Sequence, residues 1–207
     1  MNIIGNSSSF TRFKVIDQVP LEFWGQISDK LRQFAFRDID DLPEMRTYGW
    51  VCFEDMLDSE WRTAPPQKGE YLVFSLRVDT RRIPPAIIKK HVELAIRAER
   101  ERVHEQGGRF ISRERKRELK EQVILRLRQR FLPAPTKLDV VWNPEKNEIW
   151  FASTQRKMID LFMDIFLNSF ELHLEQLTPY SLAESLLEAD LMDQLDSIEA
   201  SEFTTIS

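Results

Sequence analysis

The side chains most able to do chemistry in this chain are cationic, and they are concentrated in one stretch. Residues 77–130 contain 17 Lys and Arg against 8 Asp and Glu, a local charge of +9 in a chain whose net charge is −5. From residue 158 to residue 207 there is no Lys or Arg. A basic segment attached to an acidic body is typical of a protein in which one surface meets a polyanion and the rest does not.

This stretch is predicted to fold as a helical hairpin. The prolines at 84–85 predict the start of a long helix, because proline is tolerated in the first helical turn, and the glycines at 107–108 predict its end. Ser112 is the predicted N-cap of a second helix over residues 113–130. The apolar residues that should pack this second helix along the first are Leu119, Val123, Ile124 and Leu127.

The hairpin and its root supply the candidate DNA contacts. We predict phosphate contacts from Arg81, Arg82, Lys89, Lys90, Arg113, Arg115, Lys116, Arg117, Lys120, Arg126, Arg128 and Arg130. Such contacts give an affinity that is indifferent to base sequence and falls as salt rises. The sequence carries no recognition helix, zinc module or basic zipper that would read bases. The alternative is a solvated charged helix, in which Glu114, Glu118 and Glu121 pair with basic neighbours.

Two other functions remain open at this point. The basic hairpin would also suit a protein-interaction module that docks an acidic partner. A metal-dependent nuclease would need clustered carboxylates to hold Mg²⁺, and the best candidates are Asp160, Asp164 and Glu171. Two of these lie one turn apart on a predicted helix and the third follows on a strand, so we interpret them as solvated carboxylates.

No catalytic residue, metal ligand or cofactor is predicted. His91, His104 and His173 have no metal-ligand spacing with Cys52, and the six glycines form neither a Rossmann fingerprint nor a P-loop. Cys52, between two aromatic residues, is interpreted as a core residue. Among the five tryptophans only Trp61 is kept as an exposed residue on which a base could stack. We therefore expect a protein that is not an enzyme.

The periodicity outside the hairpin predicts an α+β fold. The predicted strands cover 10–19, 47–54, 70–78, 137–142, 148–153 and 170–175, and the predicted helices cover 20–36 and 155–168, with Thr154 as the cap of the latter and a short helix opening at Thr178-Pro179. This order suits an antiparallel or mixed sheet with packed helices, interrupted by a projecting basic hairpin.

The domain organisation follows from these elements. Residues 1–82 and 133–187 are predicted to form the α+β body, residues 83–132 the hairpin arm, and residues 188–207 an acidic, flexible tail. The beginning of the chain has no signal-peptide pattern, and no apolar run is long enough to span a bilayer. With a single cysteine, these features favour a cytoplasmic protein.

Four short runs of the sequence carry a family resemblance: Gly49-Trp50-Val51, residues 83–90 (IPPAIIKK), residues 116–123 (KRELKEQV), and Arg130-Phe131-Leu132-Pro133 before a strand ending in Trp142. Together these runs resemble one family of bacterial DNA-binding proteins, the RdgC family. The resemblance runs from about residue 10 to about residue 180. Arg115, Lys116, Arg117 and Lys120 fall in the part of the arm that resembles the family. Their contact with phosphate is inferred from charge.

The resemblance to RdgC implies a function and an assembly. It implies sequence-nonspecific binding of double-stranded DNA, a homodimer that encloses or cradles the duplex, and restraint of RecA-dependent homologous recombination, with no membrane association. It also implies association with the nucleoid. Members of that family are usually longer at the C-terminal end, so we interpret this chain as a short form and leave open whether a closed ring forms.

Overall fold

The computed structural model describes residues 9–186, which form five helices and seven strands. Their order is β1 (Thr11–Val15), α1 (Phe23–Gln33), β2 (Arg46–Cys52), β3 (Gln67–Lys68), β4 (Tyr71–Thr80), α2 (Pro85–Glu105), α3 (Arg113–Arg128), β5 (Ala134–Asn143), β6 (Glu148–Phe151), α4 (Arg156–Phe170), β7 (Leu174–Gln176) and α5 (Pro179–Leu186). The predicted acidic tail, residues 188–207, lies outside the described residues. Within the described part of the chain, no helix combines the length and apolarity needed to cross a membrane.

All seven strands belong to one antiparallel sheet. Six of them follow the order β2-β4-β5-β6-β1-β7, and the two-residue strand β3 pairs with the beginning of β4. Strand β1 lies between β6 and β7, so the first strand of the chain completes the part of the sheet built from its last strands. The predicted α+β fold is confirmed.

An aromatic core fills the space between the sheet and helices α1 and α4. Every second residue of the central strands points into this core, which is what a half-buried antiparallel sheet requires. The rings of Phe151 and Phe162 stack with their centroids 4.2 Å apart. The buried indole Nε1 of Trp50 donates to Ser169 Oγ at 2.8 Å, so the ring brings no unpaired donor into the core.

The other side of the sheet carries a buried polar cluster. Arg77 Nη2 lies 2.6 Å from Asp79 Oδ2, and Ser75 Oγ donates to Asp139 Oδ1 at 2.9 Å. Lys137 Nζ lies 2.8 Å from the same Asp139 oxygen. The cluster therefore balances its charges internally, as buried ionic groups must.

A close backbone approach explains the glycine of the Gly49-Trp50-Val51 motif. The chain after α1 runs beside β2, where Phe36 N donates to Trp50 O at 2.9 Å and Trp50 N donates to Phe34 O at 3.0 Å. A Cβ at Gly49 would lie 2.5 Å from the Phe36 backbone. Only glycine leaves room for this contact.

Three local predictions are wrong. The first is the strand over 170–175. Burial does alternate along these residues, but Phe170 is the last residue of α4 and Glu171 is the left-handed C-cap of that helix, with φ 59°. The strand therefore begins only at Leu174. Gln155 precedes α4 as its N-cap in place of the predicted Thr154, and no side chain caps the helix there. Trp61 is buried, with 8% of its surface exposed, and cannot serve as an exposed stacking platform.

The helical hairpin is inserted between two paired strands. Strands β4 and β5 pair from Leu72 opposite Trp142 up to Thr80 opposite Ala134, and helices α2 and α3 form the connection between Thr80 and Ala134. No described residue of α2 is buried. The helices therefore pack mainly on each other, while the exact limits of the arm, 83–132, stay a prediction.

Candidate nucleic-acid interface

The local signals that define the two arm helices act as the sequence predicts. Pro84 is the N-cap of α2 and Pro85 its first residue, and the helix is followed by Gly107, whose φ is 78°. Ser112 caps α3 by accepting a hydrogen bond from Arg115 N at 3.1 Å. The two helices thus have fixed ends, and the cationic side chains they carry have defined positions along each axis.

Three apolar residues of α3 join it to α2. Leu119, Val123 and Leu127 are buried, and they recur every four residues along one side of the helix. An ion pair adds to this contact, because Arg115 Nε lies 2.7 Å from Glu99 Oε1 on α2. Since only one stripe of each helix is used, the hairpin has two broad faces on either side of the α2–α3 contact.

One of these faces is a shallow groove, which we call the groove face. It is lined by side chains of both helices, namely His91, Leu94, Ala95, Ala98, Val123, Arg126, Leu127 and Arg130. Helical periodicity places Glu101 and Glu105 on the same flank of α2. The groove face therefore mixes positive, negative and apolar groups.

Helical periodicity places a mainly cationic set on the opposite side, which we call the basic face. Its members, counted from the α2–α3 contact at about 100° per residue, are Lys89 and Arg100 of α2 with Arg113, Arg117, Lys120 and Arg128 of α3. Arg128 is half-buried and the other five are exposed. The same count also places Glu93 of α2 and Glu121 of α3 on this side, and Glu121 pairs with Arg117, so the face carries six cations against two carboxylates and is positive on balance.

The structure separates the twelve predicted contacts into three groups. Arg81 is buried, with 1% of its surface exposed, so the prediction that it contacts DNA is wrong. Its guanidinium donates to five backbone carbonyls and does not reach solvent. Arg81 was included because it follows a strand among other arginines, and nothing in the local pattern marks it as buried.

Two predicted contacts are engaged in ion pairs. Arg115 binds both Glu99 and Glu118, at 2.7 and 2.9 Å, and these hydrogen bonds raise the pKa of the Arg115 guanidinium above its ordinary value. Arg117 Nε lies 3.1 Å from Glu121 Oε1, but its side chain is 81% exposed, so solvent screens the pair. Arg117 can exchange this carboxylate for a phosphate, whereas Arg115 holds the hairpin together.

The remaining nine predicted contacts are exposed or half-exposed. Within residues 9–186 none of them has an ion pair: Arg82, Lys89, Lys90, Arg113, Lys116, Lys120, Arg126, Arg128 and Arg130. Arg128 Nε is buried and has no hydrogen-bond partner among the described residues. These groups could donate to an anion without first breaking an internal salt bridge.

Two residues of the arm were missed by the sequence analysis. Arg100 belongs to the basic face, and its spacing of eleven residues, three helical turns, from Lys89 could have identified it. Phe110, at the tip between the helices, is 89% exposed next to the exposed Arg109. An aromatic residue in a predicted loop gives no signal of its exposure.

The candidate nuclease carboxylates are not brought together as a metal site. Asp160 lies 3.5 Å from Arg156 Nε, and Glu171 lies 3.7 Å from Lys30 Nζ. Among residues 9–186 no group of three or more His, Cys, Asp or Glu side chains could hold a metal ion. The carboxylates of Asp79 and Asp139, which the sequence analysis did not single out, are already neutralised in the polar cluster behind the sheet.

The histidine and cysteine side chains have local structural partners. His173 Nδ1 lies 3.1 Å from Asp17 Oδ2, and Asp17 also accepts a hydrogen bond from the His173 amide, which lowers the pKa of the Asp17 carboxyl. Cys52 Sγ lies 3.2 Å from Glu54 Oε2, and burial raises the pKa of the Cys52 thiol. A thiol held in its protonated form is a poor nucleophile.

Comparison with known proteins identifies the family. The family model described as "Putative exonuclease, RdgC" matches residues 10–198, which is most of the chain. No curated protein matches the chain. The resemblance to this family is thereby confirmed, and membership supports a role related to recombination. This chain belongs to the RdgC family.

Proposed function

We propose that this protein binds double-stranded DNA without sequence preference, through the basic face of the hairpin. The observation that carries the proposal is the composition of that face. Six cationic side chains share it against two carboxylates, Glu93 and Glu121, and five of the six cations have no ion pair within residues 9–186. A polyanion would gain these contacts without displacing internal partners.

The length of the face suits a duplex. From Arg113 to Arg128 the helix rises about 22 Å, and over that length of axis a duplex presents about 13 phosphates. Contacts to phosphates position a protein on DNA but carry no base information, which supports binding without sequence preference.

The biological role we propose rests on family membership. A protein that covers duplex phosphates without sequence preference competes with RecA for the same duplex and so restrains recombination. We also propose that the protein is a homodimer and that it is associated with the nucleoid. A mass measurement in solution with and without DNA tests the dimer, and a RecA strand-exchange assay with increasing protein tests the restraint.

We further propose that the protein is not a nuclease, although the matching family model carries the word exonuclease in its description. The support is chemical: the two buried aspartates, Asp79 and Asp139, are each bound to a cation of the protein. Incubation of linear duplex DNA with the protein and Mg²⁺ or Mn²⁺ should leave the DNA intact. Degradation that Asp160→Asn abolishes would contradict this proposal.

A salt titration tests DNA binding itself. Fluorescence anisotropy with two duplexes of unrelated sequence should give equal affinities, and the logarithm of the binding constant should fall linearly with the logarithm of the salt concentration. Six phosphate contacts predict a slope of about −5, at about −0.9 for each contact. A slope near zero, or a strong preference for one duplex, would refute phosphate binding by this face.

A further inference from the structure

Arg81 lies at the root of the hairpin, where three segments of chain meet. It follows the last residue of β4 and precedes α2 by only three residues. Its Nε donates to Phe131 O, just after α3, at 2.5 Å. Its two other nitrogens donate to four carbonyls of the segment that precedes β2, those of Ile39, Asp40, Leu42 and Glu44, at 2.6 to 3.1 Å.

The chemistry of this contact is unusual for a buried arginine. A guanidinium has five N–H donors, and here each of them meets a neutral backbone carbonyl. No ion pair of Arg81 exists among the described residues, so the cation is held by carbonyl dipoles. One of these carbonyls, that of Phe131, lies just after the C-terminal end of α3, where the helix dipole favours a positive charge.

The contact joins the exit of the hairpin to the body. Phe131 N donates to Leu127 O at 3.2 Å, so the residue that Arg81 holds is itself bound to the last turn of α3. On the other side, Arg81 N donates to Met45 O at 2.8 Å beside the first pair of β2 and β4. The guanidinium thus connects the end of α3 to a segment fixed on the sheet.

We propose that Arg81 is a positioning residue, which sets the angle of the basic hairpin relative to the sheet. The leverage is large, because α2 has 21 residues and is about 32 Å long. A rotation of about 10° at the root moves the far end of such a helix by about 5 Å. That displacement exceeds the length of a hydrogen bond to phosphate, so a loose root would misplace the distant cations.

A distance measurement tests the positioning directly. Spin labels are attached at Arg109→Cys, at the tip of the hairpin, and at Gln26→Cys on α1, because both positions are exposed. The native Cys52 is only 1% exposed, and the parent protein without the two new cysteines is the control for labelling of Cys52. The distance distribution is compared in the Arg81 protein and in Arg81→Lys and Arg81→Met. Arg82→Met, at the exposed neighbouring position, is the matched control for the distance alone.

We expect a narrow distribution with Arg81 and with Arg82→Met, and a distribution about twofold wider with Arg81→Met, given the lever arm of the helix. Arg81→Lys, which keeps the charge but has three donors in place of five, should be intermediate. A merely stabilising role would lower the denaturation midpoint without widening the distribution. An unchanged distribution in the folded variants overturns the proposal, and so does loss of folding in both.

The consequence for DNA is a separate readout, which rests on the proposed function. If the competent orientation falls to about one tenth of the molecules, affinity falls about tenfold, while the salt slope stays unchanged because the phosphate contacts are the same. If the parent does not bind DNA, the proposed function fails but the distance measurement still decides the role of Arg81. If the distances change and the affinity does not, orientation has no part in binding.

Discussion

Removing two charges from the basic face should weaken DNA binding far more than removing two from the groove face. The variant Arg113→Gln/Lys120→Gln takes two cations from the basic face, and Arg126→Gln/Arg130→Gln takes two from the other side of the same hairpin. All four side chains are exposed and have no ion pair within residues 9–186, so neither change should disturb the fold. Both variants change the net charge equally.

The magnitude follows from counterion release. Each lost phosphate contact reduces the slope of log binding constant against log salt concentration by about 0.9 in magnitude. The slope measured for the basic-face variant should therefore be less steep by about 1.8. At about 0.1 M salt the same relation gives about an eightfold loss of affinity for each contact, or about 60-fold for two. The groove-face variant loses only screened long-range attraction, and we expect its slope to change by less than about 0.5.

The assay is anisotropy on one random duplex at four or five salt concentrations, with circular dichroism to verify that helix content is unchanged. Equal losses in the two variants would show that binding depends on total charge and that no face is used. A larger loss in the groove-face variant would move the binding surface to the side lined by His91 and Leu94.

Three further predictions concern stability. Gly49→Ala should destabilise the fold by about 2 to 4 kcal/mol in urea unfolding, because the new Cβ would lie 2.5 Å from the Phe36 backbone. Gly25→Ala is the control: this glycine is on a helix and a Cβ there would have no atom within 4 Å, so the change should stabilise the fold by about 0.5 to 1 kcal/mol. Ser112→Ala should cost about 1 kcal/mol and speed amide exchange in the first turn of α3. For the Asp58 carboxyl, burial raises the pKa, but hydrogen bonds from backbone amides outweigh burial and lower the pKa to about 2. The stability that this carboxylate contributes to the fold is therefore present above about pH 4 and is lost toward pH 2. Asp58→Asn should therefore reduce the slope of stability against pH in that window, and an unchanged slope would contradict the assignment.

The sequence predicted the elements well where periodicity and end signals agree. The prolines and Ser112 set the beginnings of the arm helices, and the four-residue spacing of Leu119, Val123 and Leu127 identified the side of α3 that is buried. These features depend on neighbours within one or two turns, which is the range over which local sequence controls structure. The excess of Lys and Arg over residues 77–130 is likewise a local feature of the sequence, and it located the arm.

The prediction failed where long-range contacts decide the outcome. The partners of Arg81 come from a segment about forty residues earlier and from Phe131, fifty residues later, and no local pattern reveals that these carbonyls converge. Phe170 has the alternation of a strand, yet it also continues the helical period of Phe166 and Ile165, and the packing of α4 on the sheet decides in favour of the helix. Trp61 is buried by a loop whose path the sequence does not specify.

The charge distribution gives a physical reason for placing the cations on an arm. Residues 1–76 and 131–187 together have 12 Lys and Arg against 20 Asp and Glu, so the body repels a duplex. That repulsion decays over a Debye length of about 8 to 10 Å at physiological salt, whereas the arm helix is about 32 Å long. Most of the basic face therefore lies where the field of the body is screened, and a duplex can reach it without approaching the acidic surface. The two strands with the longest pairing in the sheet, β4 and β5, hold the root of the arm, so the proposed contact with DNA would be supported by the most extensively hydrogen-bonded strand pair.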